Sequence, residues 1–236
     1  MIIVIKHIDI EGPETLGAFL LDKGFELKTV AMENNDPFPE DLDNIEAVIC
    51  LGGPMNVYEE QKYPFLAVED DFLRRILQRQ IPFFGLCLGS QLLAKACGAK
   101  VVKSPAKEVG FSDVRLTAAG QEDPLFRGVP ADLRVYQWHE DMAELPSGAV
   151  LLATSQACPH QAWRIGPNAY GLQFHIEITA DSIHTWSDRY FPDARQRDTE
   201  KPVMLDEYQR IKPEFDLTAA VVYDNFLALI KSVNRV

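Results

Sequence analysis

Ile81-Pro82-Phe83-Phe84-Gly85-Leu86-Cys87-Leu88-Gly89-Ser90-Gln91 reads as an apolar strand that gives way to a helix at a cysteine. Glycines stand on either side of Cys87, two residues before and two after, the pattern of a nucleophile elbow with cysteine in the serine position. Such a turn is tight and strained, and neighbouring Cβ atoms would crowd its backbone. The nucleophile's side chain is thereby pushed into the open. The helix beginning at Leu88 turns the positive end of its dipole toward the sulfur, which favours thiolate over thiol. Its free N–H groups, with Leu88 first, also lie where an oxyanion would form. A buried cysteine is most commonly a small apolar core residue, so the elbow needs partners elsewhere in the chain.

Two other stretches supply them. In Gly171-Leu172-Gln173-Phe174-His175-Ile176-Glu177 a strand is expected to end in a histidine and a glutamate two residues apart. Extended residues i and i+2 project to the same side. His175 is therefore placed to take the proton of Cys87 and return it to a leaving amine, with Glu177 holding the imidazole. Alone, either would pass for a structural histidine or a solvated glutamate. The third stretch, Leu51-Gly52-Gly53-Pro54, closes a short buried strand; read alone it is an ordinary strand-ending turn, but its glycines let backbone N–H groups approach a ligand, which makes Gly53 N–H a candidate second oxyanion donor.

Around these stretches the chain alternates strand and helix. Strands are expected at 2–6, 25–30, 47–51 and 81–86, with helices at 13–23, 64–80 and 88–97. Continuous apolar strands alternating with helices predict an α/β fold: a doubly wound, mainly parallel sheet flanked by helices, with its active site beyond the strands' carboxyl ends. From about residue 109 to 175 short strand-like runs (114–117, 133–138, 150–154, 162–165 and 169–174) suggest antiparallel additions. Thr179 is placed to cap a helix carrying Ile183, Trp186 and Tyr190. Val222, Phe226, Leu229 and Val233 then form a packing stripe on a final helix. One domain is expected over 1–236, with 192–236 as a C-terminal helical extension.

With these segments in view, the chain resembles the class I, triad-type glutamine amidotransferases, and within them the group similar to the glutaminase domain of GMP synthase. The resemblance is carried by Leu51 to Tyr58, Gly85 to Gln91, Gln137-Trp138-His139-Glu140-Asp141, and Gln161-Ala162-Trp163 through Glu177. It implies a flavodoxin-like fold, with Cys87 as nucleophile, His175 as base and acid, and Glu177 as orienter. It further implies Gly53 and Leu88 N–H as oxyanion donors, Gln91 holding the backbone end of glutamine, and Trp138 and His139 lining the pocket. Such enzymes form a γ-glutamyl thioester, release ammonia and hydrolyse the thioester to glutamate, and no metal or organic cofactor is needed for that step. The chain departs from the family pattern at Glu140, where relatives often have glycine, and at Ile176, where proline is frequent. Glu140 would either place an anion near the pocket or point to solvent. His7, Asp9 and Glu11 follow the first strand and could border the site, but a solvated loop is the favoured expectation.

A net charge of −12 repels phosphate backbones and anionic lipid surfaces, so neither nucleic acid nor membrane is expected as a partner. No run of about 20 apolar residues and no signal-like start is visible, which suggests a cytoplasmic protein, and the 4 cysteines are expected as free thiols. The chain ends about one helix after the glutaminase-like region and shows no P-loop. A free-standing glutaminase-type enzyme is expected, its substrate glutamine or another γ-glutamyl small molecule, with a separate ammonia-accepting synthase as partner. A γ-glutamyl peptidase or hydrolase would use the same triad, and a non-catalytic regulatory subunit would keep only the fold.

Overall fold

The computed structural model describes residues 1–233. Nine strands form one sheet, in chain order β1 (Ile2–Lys6), β2 (Leu27–Ala31), β3 (Ala47–Cys50), β4 (Phe83–Leu86), β5 (Val101–Leu116), β6 (Asp132–Ala143), β7 (Val150–Thr154), β8 (Ala162–Ile165) and β9 (Ala169–Leu172). The spatial order is β2-β1-β3-β4-β9-β8-β7-β5-β6. The first five in that order run parallel, and β9 is antiparallel to β8, where the antiparallel extension begins. The last apolar run, expected among the antiparallel additions, thus lies at the junction, parallel to β4 on one side and antiparallel to β8 on the other.

Successive side chains of a strand face opposite sides of a sheet, and the first strand shows it. Ile2 and Val4 enter one core with helices α1 (Glu14–Asp22), α5 (Ala180–Tyr190) and α6 (Ala194–Val233); Ile3 and Ile5 enter another with α2 (Phe65–Gln78) and α3 (Leu88–Ala96). A short α4 (Ala118–Glu122) lies against β7. Thr179 caps α5 in a reciprocal capping box with Ser182.

Two regions depart from expectation. β5 and β6 pair along most of their length, across a register shift between Lys103 and Glu108, and so reach well beyond the short runs anticipated there. The last helix, α6, begins at Ala194 and continues through Pro202 and Pro213. On that helix Val222 and Phe226 are buried as expected, but Val233 is 38% exposed and Tyr223, Leu227 and Ile230 complete the packed face. The anticipated extension's residues 234–236 lie outside the described residues.

Candidate active site

The site assembles where β1, β3, β4 and β9 end. The elbow's backbone carries the strain its glycines announce: Cys87 has φ 49° and ψ −104°, a region costly for a residue with a side chain. A Cβ on Gly85 would come within 2.6 Å of the Gly89 backbone, and one on Gly89 would overlap the Cys50 carbonyl. The helix after the elbow can pack directly on β3 and β4 only because both positions lack side chains. Cys87 N–H donates to Leu172 O of β9 at 2.8 Å, tying the elbow to the segment that carries His175.

A cleft of about 300 Å³ is lined by Cys87, Leu88, Gly53, Gln91, Trp138, His139 and His175, with Glu177 directly behind His175. All eight residues anticipated from the sequence therefore meet at one place. His175 and Glu177, however, do not sit on a regular strand. β9 stops at Leu172, and the backbone beyond it is held by one bridge, in which His175 and Tyr136 exchange N–H···O bonds of 2.8 and 3.1 Å. The pair still comes together, with His175 Nδ1 2.5 Å from Glu177 Oε1, while Ile176 N–H donates to Glu177 Oε2 at 2.9 Å. Trp186 meets the imidazole edge-on at 4.8 Å between ring centres and is itself anchored by its Nε1–H to Ile10 O. Burial opposes an imidazolium here, but the charge of Glu177 and then the Cys87 sulfur overcome it and hold the His175 pKa well above its ordinary value. The Cys87 sulfur lies 3.8 Å from Trp138 O and 3.6 Å from Gln173 Nε2.

Several side chains are already engaged. Gln91 Nε2 donates to Asp141 O and Gln173 Oε1, both at 3.1 Å. His139 uses both ring nitrogens, on Asp141 O at 3.0 Å and Glu108 Oε2 at 3.1 Å, so it lines the cleft with its ring fixed. Glu140, 53% exposed, stands at the rim and pairs with Lys107 at 2.6 Å and Lys103 at 3.7 Å, turned toward these lysines and solvent.

His7 and Glu11 contradict the solvated-loop expectation. His7 is fully buried and Glu11 is 5% exposed on the cleft wall, where Tyr190 O–H donates to its carboxylate at 2.6 Å. Charged residue types after a strand read as surface, and the partners that bury these two come from distant α2 and α5. Gln173 was also missed as a contact of the sulfur, although its place two residues before His175 marks it as sharing that residue's side. Two buried groups, His7-Cys50-Glu69 and Glu108-His139-Cys158, gather metal-ligating residue types, but in the first all three side chains, and in the second His139 and Glu108, already hydrogen-bond one another. All four cysteines are free thiols.

A family model described as glutamine amidotransferase class-I matches residues 18–185, more than half of the chain. This chain belongs to the class I glutamine amidotransferase family. The glutamine amidotransferase-like protein YfeJ of Salmonella typhimurium is 33% identical over 179 residues, covering 73% of this amidotransferase and 75% of that protein. The glutamine-hydrolyzing GMP synthase of Thermosipho africanus is 36% identical over 152 residues, which are 63% of this chain and 28% of that longer protein. A solved glutamine amidotransferase structure from Thermotoga maritima matches with a TM-score of 0.87 at 31% identity, over 95% of this chain and 96% of that one. Fold and family carry with them the general activity, cysteine-dependent hydrolysis of the glutamine amide. Among the described residues, no helix of this amidotransferase is long and apolar enough to cross a membrane.

The buried titratable groups give the amidotransferase a pH-dependent stability. His175 is raised for the reasons given above; at His7 burial lowers the pKa but Glu69 outweighs it, and at Glu11 burial itself raises it. All three bind protons more tightly folded than unfolded. Their stabilising contributions are complete below the unfolded pKa and are lost as pH rises through the folded one. For the histidines that loss begins near pH 6.5. Denaturant unfolding between about pH 6.5 and pH 8 is thus expected to show stability falling as pH rises, by up to ~1.4 kcal/mol per pH unit for each histidine. A flat or rising profile would contradict the raised pKa of both rings.

Proposed function

We propose that this chain works as one stand-alone glutaminase-type unit that hydrolyses the glutamine side-chain amide through a γ-glutamyl thioester on Cys87 and passes the ammonia to a separate acceptor enzyme. The observation that carries this is the meeting, in one cleft, of a cysteine on a strained elbow, the His175–Glu177 pair, and two backbone segments with N–H groups at helix and strand ends. In the first half-reaction the Cys87 proton already rests on His175 Nε2, and the thiolate Sγ bonds to the amide carbon. The carbonyl oxygen takes up negative charge facing Gly53 and Leu88 N–H. His175 then gives the proton to the departing nitrogen, the C–N bond breaks and ammonia leaves. In the second half, water adds to the thioester while His175 accepts its proton, and the C–S bond breaks to release glutamate and regenerate the thiolate beside the protonated ring. Glu177 keeps the imidazole in the tautomer this requires and stabilises its cation.

Gln91 and the backbone around Trp138 and His139 border the end of the cleft where the amino-acid end of the substrate would lie. A volume of about 300 Å³ is at the small end for ligand sites, which suits an amino acid better than a peptide. The salt-bridged rim of Lys103, Lys107 and Glu140 is what keeps a γ-glutamyl hydrolase in view, since a longer γ-glutamyl amide would extend toward it. The complete set of reacting groups argues against a purely regulatory subunit. Coupling to a synthase is supported by the likeness to a glutamine-hydrolyzing GMP synthase, and cytoplasmic residence suits such coupling. Specificity constants for glutamine and for γ-glutamyl dipeptides decide between substrates. We expect glutamine to be favoured by about 10-fold or more; an equal or higher value on dipeptides would transfer the assignment to the hydrolase.

A further inference from the structure

Among the fully buried ionisable residues that the chemistry above leaves unused are His7 after β1 and Glu69 on α2. His7 Nδ1 lies 2.9 Å from Gly52 O, and Nε2 lies 3.1 and 3.0 Å from the two carboxylate oxygens of Glu69. Cys50 S–H donates to the same carboxylate at 3.2 Å. A carbonyl and a carboxylate are both acceptors, so each ring nitrogen carries a proton and donates it. A buried ion pair is poor evidence of stabilisation, because desolvation offsets its attraction. Its position suggests another use.

Gly52 C=O and Gly53 N–H belong to one planar trans peptide and point in opposite directions. Whatever fixes the carbonyl on one side fixes the N–H on the other. Among the described residues Gly53 N–H has no hydrogen-bond acceptor. A Cβ on Gly53 would lie 2.9 Å from both His7 Cβ and Leu88 Cδ2, so this peptide is wedged between His7 and the start of the elbow helix, beside the other candidate oxyanion donor. Rotating it would leave the carbonyl and a buried imidazolium N–H without partners, a cost that holds it in place. A charged donor on the carbonyl also polarises the peptide and strengthens its N–H as a donor.

We propose that His7, itself held by Glu69, is a positioning residue that fixes the Gly52–Gly53 peptide with its N–H aimed at the oxygen of the substrate carbonyl. The inference rests on the thioester mechanism above, and the experiment separates the two. The rate of γ-glutamyl adduct formation from glutamine is followed by acid quench and intact-protein mass measurement, together with KM for turnover. Alkylation by iodoacetamide serves as the control, since that displacement develops no oxyanion.

His7→Leu is expected to slow adduct formation about 100-fold, with KM and alkylation within about threefold of wild type. His7→Asn keeps an N–H near the Nδ1 position and is expected to recover most of the rate. If His7→Leu fails to fold, Glu69→Gln, which keeps an acceptor for Nε2–H but removes the charge, is expected to slow adduct formation about 10-fold with alkylation unchanged. Wild-type rates in the folded variants would overturn the proposal, as would alkylation falling in parallel with adduct formation or a His7→Asn variant no better than His7→Leu. A wild-type protein that forms no adduct on Cys87 would overturn the thioester mechanism itself.

Discussion

Replacing Cys87 by alanine is expected to lower the rate of glutamine hydrolysis about 10⁴-fold or more, with little change in thermal unfolding. The sulfur is the nucleophile proposed here, and no other thiol can substitute for it. Cys50 and Cys158 are fully buried, and Cys97, at the end of α3, is not part of the cleft wall. Alanine keeps a Cβ on the same strained backbone, so the elbow's cost and its bond to Leu172 remain; what is lost is a sulfur with two long contacts, to Trp138 O and Gln173 Nε2. Glutamate release measured with a coupled assay, beside a melting curve for each protein, checks both halves of the expectation. A folded Cys87→Ala protein with more than about one-tenth of wild-type turnover would remove Cys87 from the mechanism.

The second large effect is expected at Glu177. Glu177→Gln should reduce kcat about 10³- to 10⁴-fold while KM stays within about threefold. The reason is local. Ile176 N–H donates to Glu177 Oε2, and a glutamine there must present its amide oxygen to that donor. Its NH₂ group then faces His175 Nδ1, which must accept instead of donate. The ring's proton is forced onto Nε2, the nitrogen that has to take the proton of Cys87. Removing the carboxylate also removes the strongest influence raising the His175 pKa, so a titration of that ring should move downward. Steady-state kinetics with a pH profile measures both, and an unchanged kcat would show that the pair is structural.

The parts of this molecule that sequence made readable are those whose geometry is local. A Gly-x-Cys-x-Gly run at a strand-to-helix junction needs no distant residue to make it a strained elbow, and the spacing of His175 and Glu177 already places them on one side of the chain. The division of Ile2 to Ile5 between the two faces of the sheet likewise follows from strand periodicity. What was illegible depends on long-range closure. Nothing in the apolar run of β9 says whether it pairs with β4 in parallel or only with β8. The length of β5 and β6 was hidden because polar residues and Pro105 interrupt it, and continuity is imposed by cross-strand pairing around the register shift.

The same holds for charge. His7, Glu11 and Glu69 have the composition of surface positions, yet His7 meets Glu69 across 62 residues and Glu11 meets Tyr190 across 179. Burial of such groups is decided by the partner, and a single sequence does not display the partner. Glu140 shows the converse. Its substitution for a small residue in the family pattern stood out in the sequence, and in the fold it belongs to an exposed ion-pair cluster with Lys103 and Lys107, the kind of contact that contributes about 1 kcal/mol or less.

The most direct test of the proposed chemistry is to mix the protein with glutamine, quench in acid within the first turnovers, digest it and locate any added mass by peptide mass spectrometry. A γ-glutamyl group on the peptide that contains Cys87, absent when Cys87 is alanine and lost on treatment with hydroxylamine, is the expected result. Glutamate formed with no adduct, or with an adduct on Cys50, Cys97 or Cys158 instead, would contradict it.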